Sequence, residues 1–236
     1  EFVIPALGKS CDYWRASGYF SSSIFDSIGE VMADFVQNDG RMDLVTSVHL
    51  SQKDLDAIEN GLKAREDLIE ERLKEIIDKD FTVPLPRGVT ILARLLEARR
   101  LNIKIATTDR NKLFHIKMGV FIDENADYVS FMGSQNESQH SVKDAFEGVD
   151  VYTSWGNDSS RAKKKRAFFE RLWRNEQSGA KVFSLPDSLS KVIVKKYKKT
   201  LELQQETPIE PEEDDDDEPP SATPSSNTPP PPPPPG

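Results

Sequence analysis

The chain has 236 residues, 36% apolar, 8% aromatic and 30% charged, which is enough for one domain or two small ones. Its apolar runs are too short for a membrane-spanning helix, and a basic segment leading into an apolar one is not seen. The formal net charge of −9 is unevenly spread: Glu206 to Gly236 hold nine acids and no Lys or Arg, leaving 31 acids against 31 bases in residues 1–205.

The single cysteine, Cys11, has no partner for an internal disulfide, which fits a reducing, cytoplasmic setting and excludes a cysteine-based metal knuckle. The opening Glu1-Phe2-Val3 lacks a methionine and reads as a fragment of a longer protein.

Tyr13 to Phe20 and Met42 to Leu50 are short and rich in aromatic or β-branched residues, and read as strands. Between them Ile24, Phe25, Ile28, Val31, Met32 and Phe35 recur at helical spacing, and Asn38-Asp39-Gly40 ends the run. A strand–helix–strand unit of this kind implies a parallel pair with a right-handed crossover. Ser51 and Asp54 open a charged helical stretch to about Lys79, whose narrow apolar stripe (Leu55, Ile58, Leu62, Ile69, Leu73, Ile76) fits a surface helical pair better than a free coiled coil. Pro84 and Pro86 end it, and a helix over Val89 to Arg99 follows.

Leu101 to Thr107, Leu113 to Ile122, Tyr128 to Met132 and Val149 to Thr153 read as strands, with a turn over Asp123 to Asp127. Asn157-Asp158-Ser159 caps a helix to about Arg174, and Pro186-Asp187 starts a last one reaching about Leu203. Strands interleaved with helices predict an α/β fold, a mixed β-sheet flanked by helices in an α-β-α sandwich over residues 1–205. Trp14, Trp155 and Trp173 are expected in its core.

Residues 206–236 hold twelve of the sixteen prolines, seven of them consecutive at Pro229 to Pro235, and almost no apolar side chain to bury. Such a segment cannot offset its ordering entropy and reads as a disordered acidic, Pro-rich linker to something larger. A free interaction tail is the alternative.

Chemistry concentrates in the hairpin from Phe114-His115-Ile116-Lys117 to Gly133-Ser134-Gln135-Asn136-Glu137. Residues two apart in a strand share a face, so His115 and Lys117 point the same way. With the hairpin symmetric about Asn125, position 117 faces 133 and position 115 faces 135. An imidazole, an ammonium, a hydroxyl and a carboxamide are thereby gathered at one end, where they can hold an anion and attack it.

His-x-Lys, an Asp a few residues on, then Gly-Ser-x-Asn resembles the signature of the phospholipase D superfamily. The resemblance implies His115 as the covalent nucleophile on phosphorus, and Lys117, Ser134 and Asn136 as the cradle for phosphoryl oxygens. Glu147, eleven residues after Asn136, matches the glutamate that orients the histidine in the nuclease branch. The family's Asp follows the lysine by five residues, whereas Asp123 follows Lys117 by six, so Asp123 has at most a minor role and serves otherwise as a turn residue.

His49 and His140 lack a following lysine two residues on, so the chain carries one motif. Single-motif members resemble bacterial endonucleases in which two chains pair to form one site. The resemblance therefore implies a nuclease acting on nucleic acid, DNA ahead of RNA, as a homodimer across the active site. It further implies the N-terminal module of a helicase- or restriction-type protein whose C-terminal domain lies outside this chain. No membrane partner is expected. No cofactor is called for, and the three histidines and one cysteine show no metal-ligand spacing. The alternative is a non-catalytic nucleic-acid-binding and dimerisation module that keeps the phosphate pocket. Lys163, Lys164, Lys165 and Arg166 form a basic run suited either to a DNA backbone or to a solvated helix face.

Overall fold

The computed structural model describes residues 2–25, 28–48, 65–108, 114–133 and 148–206. In chain order the elements are α1 (Val3–Leu7), β1 (Asp12–Ala16), a 3-10 turn (Ser22–Phe25), α2 (Gly29–Gln37), β2 (Arg41–Thr46), α3 (Arg65–Asp80) and α4 (Arg87–Glu97). There follow β3 (Leu101–Thr108), β4 (Met118–Ile122), β5 (Tyr128–Gly133), β6 (Val149–Thr153), α5 (Ser159–Trp173), β7 (Ala180–Ser184) and α6 (Asp187–Glu206). The part of the charged stretch over 51–64, and the Pro-rich tail from 207 on, lie outside the described residues.

Seven strands form one mixed sheet in the order β6-β5-β4-β1-β2-β3-β7. β1, β2 and β3 run parallel, as the helical crossovers between them require, while β4 pairs antiparallel with β1 and β7 antiparallel with β3. The β4–β5 hairpin keeps the register expected from its sequence, with Met118 opposite Met132 and Ile122 opposite Tyr128. Among the described residues no helix is long and apolar enough to cross a membrane.

The two faces of the sheet are covered unequally. On one, Leu7, Phe25, Met32, Phe35, Leu73, Leu92 and Ile193 from the helices close over Tyr13, Leu44, Ile103 and Phe121. On the other, Phe169 and Leu172 of α5 cover Ala16, Val45, Val120 and Ala106, with Trp14 and Trp173 packed at the margin. Trp155 departs from expectation. It is 53% exposed, just after β6 at the edge of the sheet.

Several other differences have local causes. The expected helix from Ile24 is divided into the 3-10 turn and α2. β1 ends at Ala16 and β2 at Thr46, although Phe20 N–H still donates to the Ser47 carbonyl across the gap. β4 begins only at Met118, where the β1 ladder ends at the Ala16–Met118 pair, although Gly133 N–H still donates to the Lys117 carbonyl.

Gly119 shows how tightly this part of the sheet is packed. A Cβ there would lie 2.3 Å from the Phe131 ring and 3.1 Å from that of Tyr13. Phe131 cannot swing aside, because Phe2, Phe121 and the fully buried Arg15 guanidinium surround it. Gly119→Ala is therefore expected to destabilise the protein by about 1–3 kcal/mol, an overpacking penalty readable by thermal or urea unfolding. Unchanged stability would mean that the ring has room to move.

Candidate functional site

β1, β2, β3 and β5 all finish at one end of the sheet, and β4 and β6 begin there. In a sheet with parallel strands, the carboxyl ends are where the chain turns away and leaves room for a ligand. His115 and Lys117 sit at this end, just before β4.

Parity decides which way they face. Phe114 and Ile116 pack into the core beneath α5, so His115 and Lys117 turn to the opposite face. Lys117 Nζ lies 2.6 Å from His115 Nε2. An ammonium only donates, so Nε2 is the acceptor, and the ring that fits this contact carries its proton on Nδ1. The two side chains differ in exposure: the histidine is exposed, whereas the lysine is 4% exposed. An exposed imidazole thus rests against a buried lysine head group.

Two glycines allow this approach. A Cβ on Gly18 would stand 3.0 Å from the Phe114 carbonyl and 3.4 Å from the His115 Cα, so the loop after β1 lies directly against the histidine's backbone. A Cβ on Gly133 would meet the Gly148 carbonyl at 2.5 Å and the Val149 Cα at 3.0 Å. Its N–H donates to the Lys117 carbonyl at 3.1 Å, which places position 133 opposite 117 as the hairpin symmetry requires.

Ser134, Asn136 and Glu147 fall outside the described residues. Their flanks are described: Gly133 ends β5 and Gly148 precedes β6, both at the His115 end. Asp123 is placed at the other end of the hairpin. Its carboxylate accepts the N–H groups of Asn125 and Asp127, each at 2.9 Å, and its own N–H bonds the Asp127 carbonyl. Asp123 thus has the turn geometry read as its alternative role: the strand's length separates it from Lys117, and its side chain builds the turn.

The basic run on α5 is not brought to the site either, since α5 covers the opposite face. Lys163 and Lys164 are exposed, but Lys165 reaches the Met132 sulfur and Arg166 lies over Trp14 and Tyr128 while pairing with Glu170.

Sequence reasoning missed a band of hydroxyls. Ser17, Thr46, Ser47 and Thr107 are all buried at the ends of β1, β2 and β3. Ser17 continues β1 beside Lys117, and its N–H bonds the Val45 carbonyl at 2.9 Å. Among the described residues, the Thr46 hydroxyl has no hydrogen-bond partner. Polar residues closing otherwise apolar strands were the available signal, and they gain meaning only once the strand order is known. Of the groups with displaced ionisation, Asp43 is raised by burial, against a hydrogen bond from Asn102, and Cys11 by burial and by Asp12. Both lie at the far end of the sheet.

No family model matches this sequence, and no curated protein matches it. Among solved structures, phosphatidylserine synthase of Haemophilus influenzae Rd KW20 is similar with a TM-score of 0.44 and 12% identity. The match covers 86% of this chain and 43% of that one, so the chain spans less than half of that protein's length. At such a distance the likeness bears on neither reaction nor substrate.

Proposed function

We propose that the chain is a phosphodiesterase of the phospholipase D type that cleaves nucleic acid, DNA in the first place, through a covalent phosphohistidine. The observation that carries this reading is the 2.6 Å contact between an exposed imidazole and a buried ammonium at the carboxyl end of the sheet. A phosphodiester drawn to that charge would exchange its oxygens for Nε2 as the lysine's partner. The freed lone pair then attacks phosphorus as the bond to the leaving oxygen breaks. Lys117 neutralises the charge that builds on the non-bridging oxygens, so the reaction needs no metal. Ser134 and Asn136 complete the cradle, and Glu147 orients the imidazole.

The leaving oxygen needs a proton, and the phosphohistidine then needs an activated water to break the P–N bond. One histidine cannot serve as nucleophile and acid at once, and the chain has one such motif. A second copy of the chain therefore supplies its own His115 for these proton transfers, and this module belongs to a larger DNA-processing or defence protein. Lys163 and Lys164, the exposed lysines of the basic run on α5, are assigned to contact with a DNA backbone away from the site.

Incubation with labelled single- and double-stranded DNA in EDTA tests the reading. Cleavage supports it; binding without cleavage would favour the non-catalytic binding and dimerisation module. A two-fold dimer is the companion expectation. Light scattering that found a fully active monomer at micromolar concentration would refute the shared site.

A further inference from the structure

At the end of the sheet away from His115, a groove of about 1290 Å³ opens between α6, the end of α4, and the start of β3, where β7 no longer covers it. Its lining is strongly basic: Arg99, Lys104, Lys191, Lys195, Lys198 and Lys199, against three acids, Glu97, Asp187 and Glu202. Two of the cations are engaged. Lys104 donates to the Trp173 carbonyl at 2.7 Å and lies over that ring, and Lys198 pairs with Glu97 at 2.6 Å, which raises its pKa. Among the described residues, Lys191, Lys195 and Lys199 form no ion pair. Spaced four apart, they make one stripe along α6. Such a stripe leaves several positive charges facing one open groove on a body whose total formal charge is zero.

The counter-charge is present in the same chain. Glu206 ends α6, and Glu210 to Glu218 supply eight further acids with no Lys or Arg among them. We propose that this acidic segment, centred on Asp214 to Asp217, folds back along α6 and docks in the lysine groove. The lengths allow it. From Glu206 back to Lys191 is about 22 Å at 1.5 Å per helical residue. An extended chain from Glu206 to Asp217 spans up to roughly 36 Å. Tethering holds the acids at an effective concentration in the millimolar range, so weak exposed pairs suffice to occupy the groove. The contact is electrostatic, and screening over about 10 Å at 0.1 M salt makes it salt-sensitive. Its role is that of a built-in polyanion, which keeps this basic surface from free nucleic acid while leaving the His115 end open.

The test uses the full chain, wild type and with Asp214, Asp215, Asp216 and Asp217 each changed to Asn, followed by amide NMR. The backbone signals of Asn102, Lys104, Lys191, Lys195 and Lys199 are expected to shift on this neutralisation. Raising NaCl from about 50 to 500 mM should move the wild-type signals the same way and leave the variant's nearly still. The triple change Lys191→Glu, Lys195→Glu, Lys199→Glu should abolish the response. A twelve-residue oligothymidylate should bind the neutralised chain about tenfold more tightly than the wild type, since it no longer competes with a tethered polyanion. Shifts confined to the tail's own signals would overturn the proposal. So would shifts that grow with protein concentration, which would mean docking onto a second copy. Equal oligothymidylate binding by both chains would make the groove a nucleic-acid surface that the tail does not occupy.

Discussion

His115→Ala is expected to abolish cleavage of labelled DNA while leaving the melting temperature essentially unchanged. The residue is exposed, so truncating its side chain opens no cavity in the core. It also removes an imidazole that water can replace as partner of the Lys117 ammonium. Surface changes of this kind fall within about 0.5 kcal/mol of the parent. The chemical loss is of another order. Without Nε2 there is no atom to form the bond to phosphorus, and removing a nucleophile from an enzyme that works through a covalent intermediate costs on the order of 10⁴–10⁶ in rate. Cleavage that survives in a correctly folded His115→Ala chain would reject the assignment of the nucleophile. A large fall in melting temperature would instead mean that the 114–117 segment is held by the imidazole itself.

How much of this was legible in sequence depends on whether the signal is local. The β1–α2–β2 unit and the β4–β5 hairpin follow from patterns of period 3.6 and period 2 on either side of turn residues, and the register of the hairpin follows from its symmetry about Asn125. The shared face of His115 and Lys117 is likewise a matter of parity. β7 was missed because five residues with Lys181 and Ser184 at exposed positions give little alternation, and their pairing with β3 is settled by a distant segment. α1 was missed because its five residues hold Pro5 in place of a donor. The polar end of the sheet was illegible for a related reason. Ser17, Thr46 and Thr107 lie 29 and 61 positions apart along the chain, and only the order β4-β1-β2-β3 brings them to the same end of the sheet as Lys117. Length was misjudged wherever a strand runs past its neighbours. Phe114 to Lys117 has strand composition, but a strand needs a partner at its own level, and the β1 ladder ends at Ala16 opposite Met118.

Lys117→Met is expected to lose about 10²–10³ in cleavage rate, the range seen when one preorganised donor is removed from a developing oxyanion. Methionine keeps most of the length and apolar stem of a side chain that is 4% exposed, so the packing at the end of β4 is retained. What disappears is the charge. The proposed reaction accumulates negative charge on phosphoryl oxygens, and a buried ammonium opposes it far more strongly than a solvated one would, because little water screens it. Substrate affinity should fall much less than turnover, since the phosphodiester already carries one negative charge in the ground state and gains more only in the transition state. Lys117→Arg is expected to rescue little: a planar fork cannot take the place of a compact ammonium seated 2.6 Å from Nε2 without moving the imidazole. The measurement is kcat and KM on labelled DNA for wild type, Lys117→Met and Lys117→Arg, with melting temperatures alongside. A Met variant with wild-type kcat would remove Lys117 from the chemistry. If kcat and melting temperature fell together and Lys117→Arg restored both, the ammonium would be holding the strand end in place, and the phosphate cradle would have to be sought elsewhere.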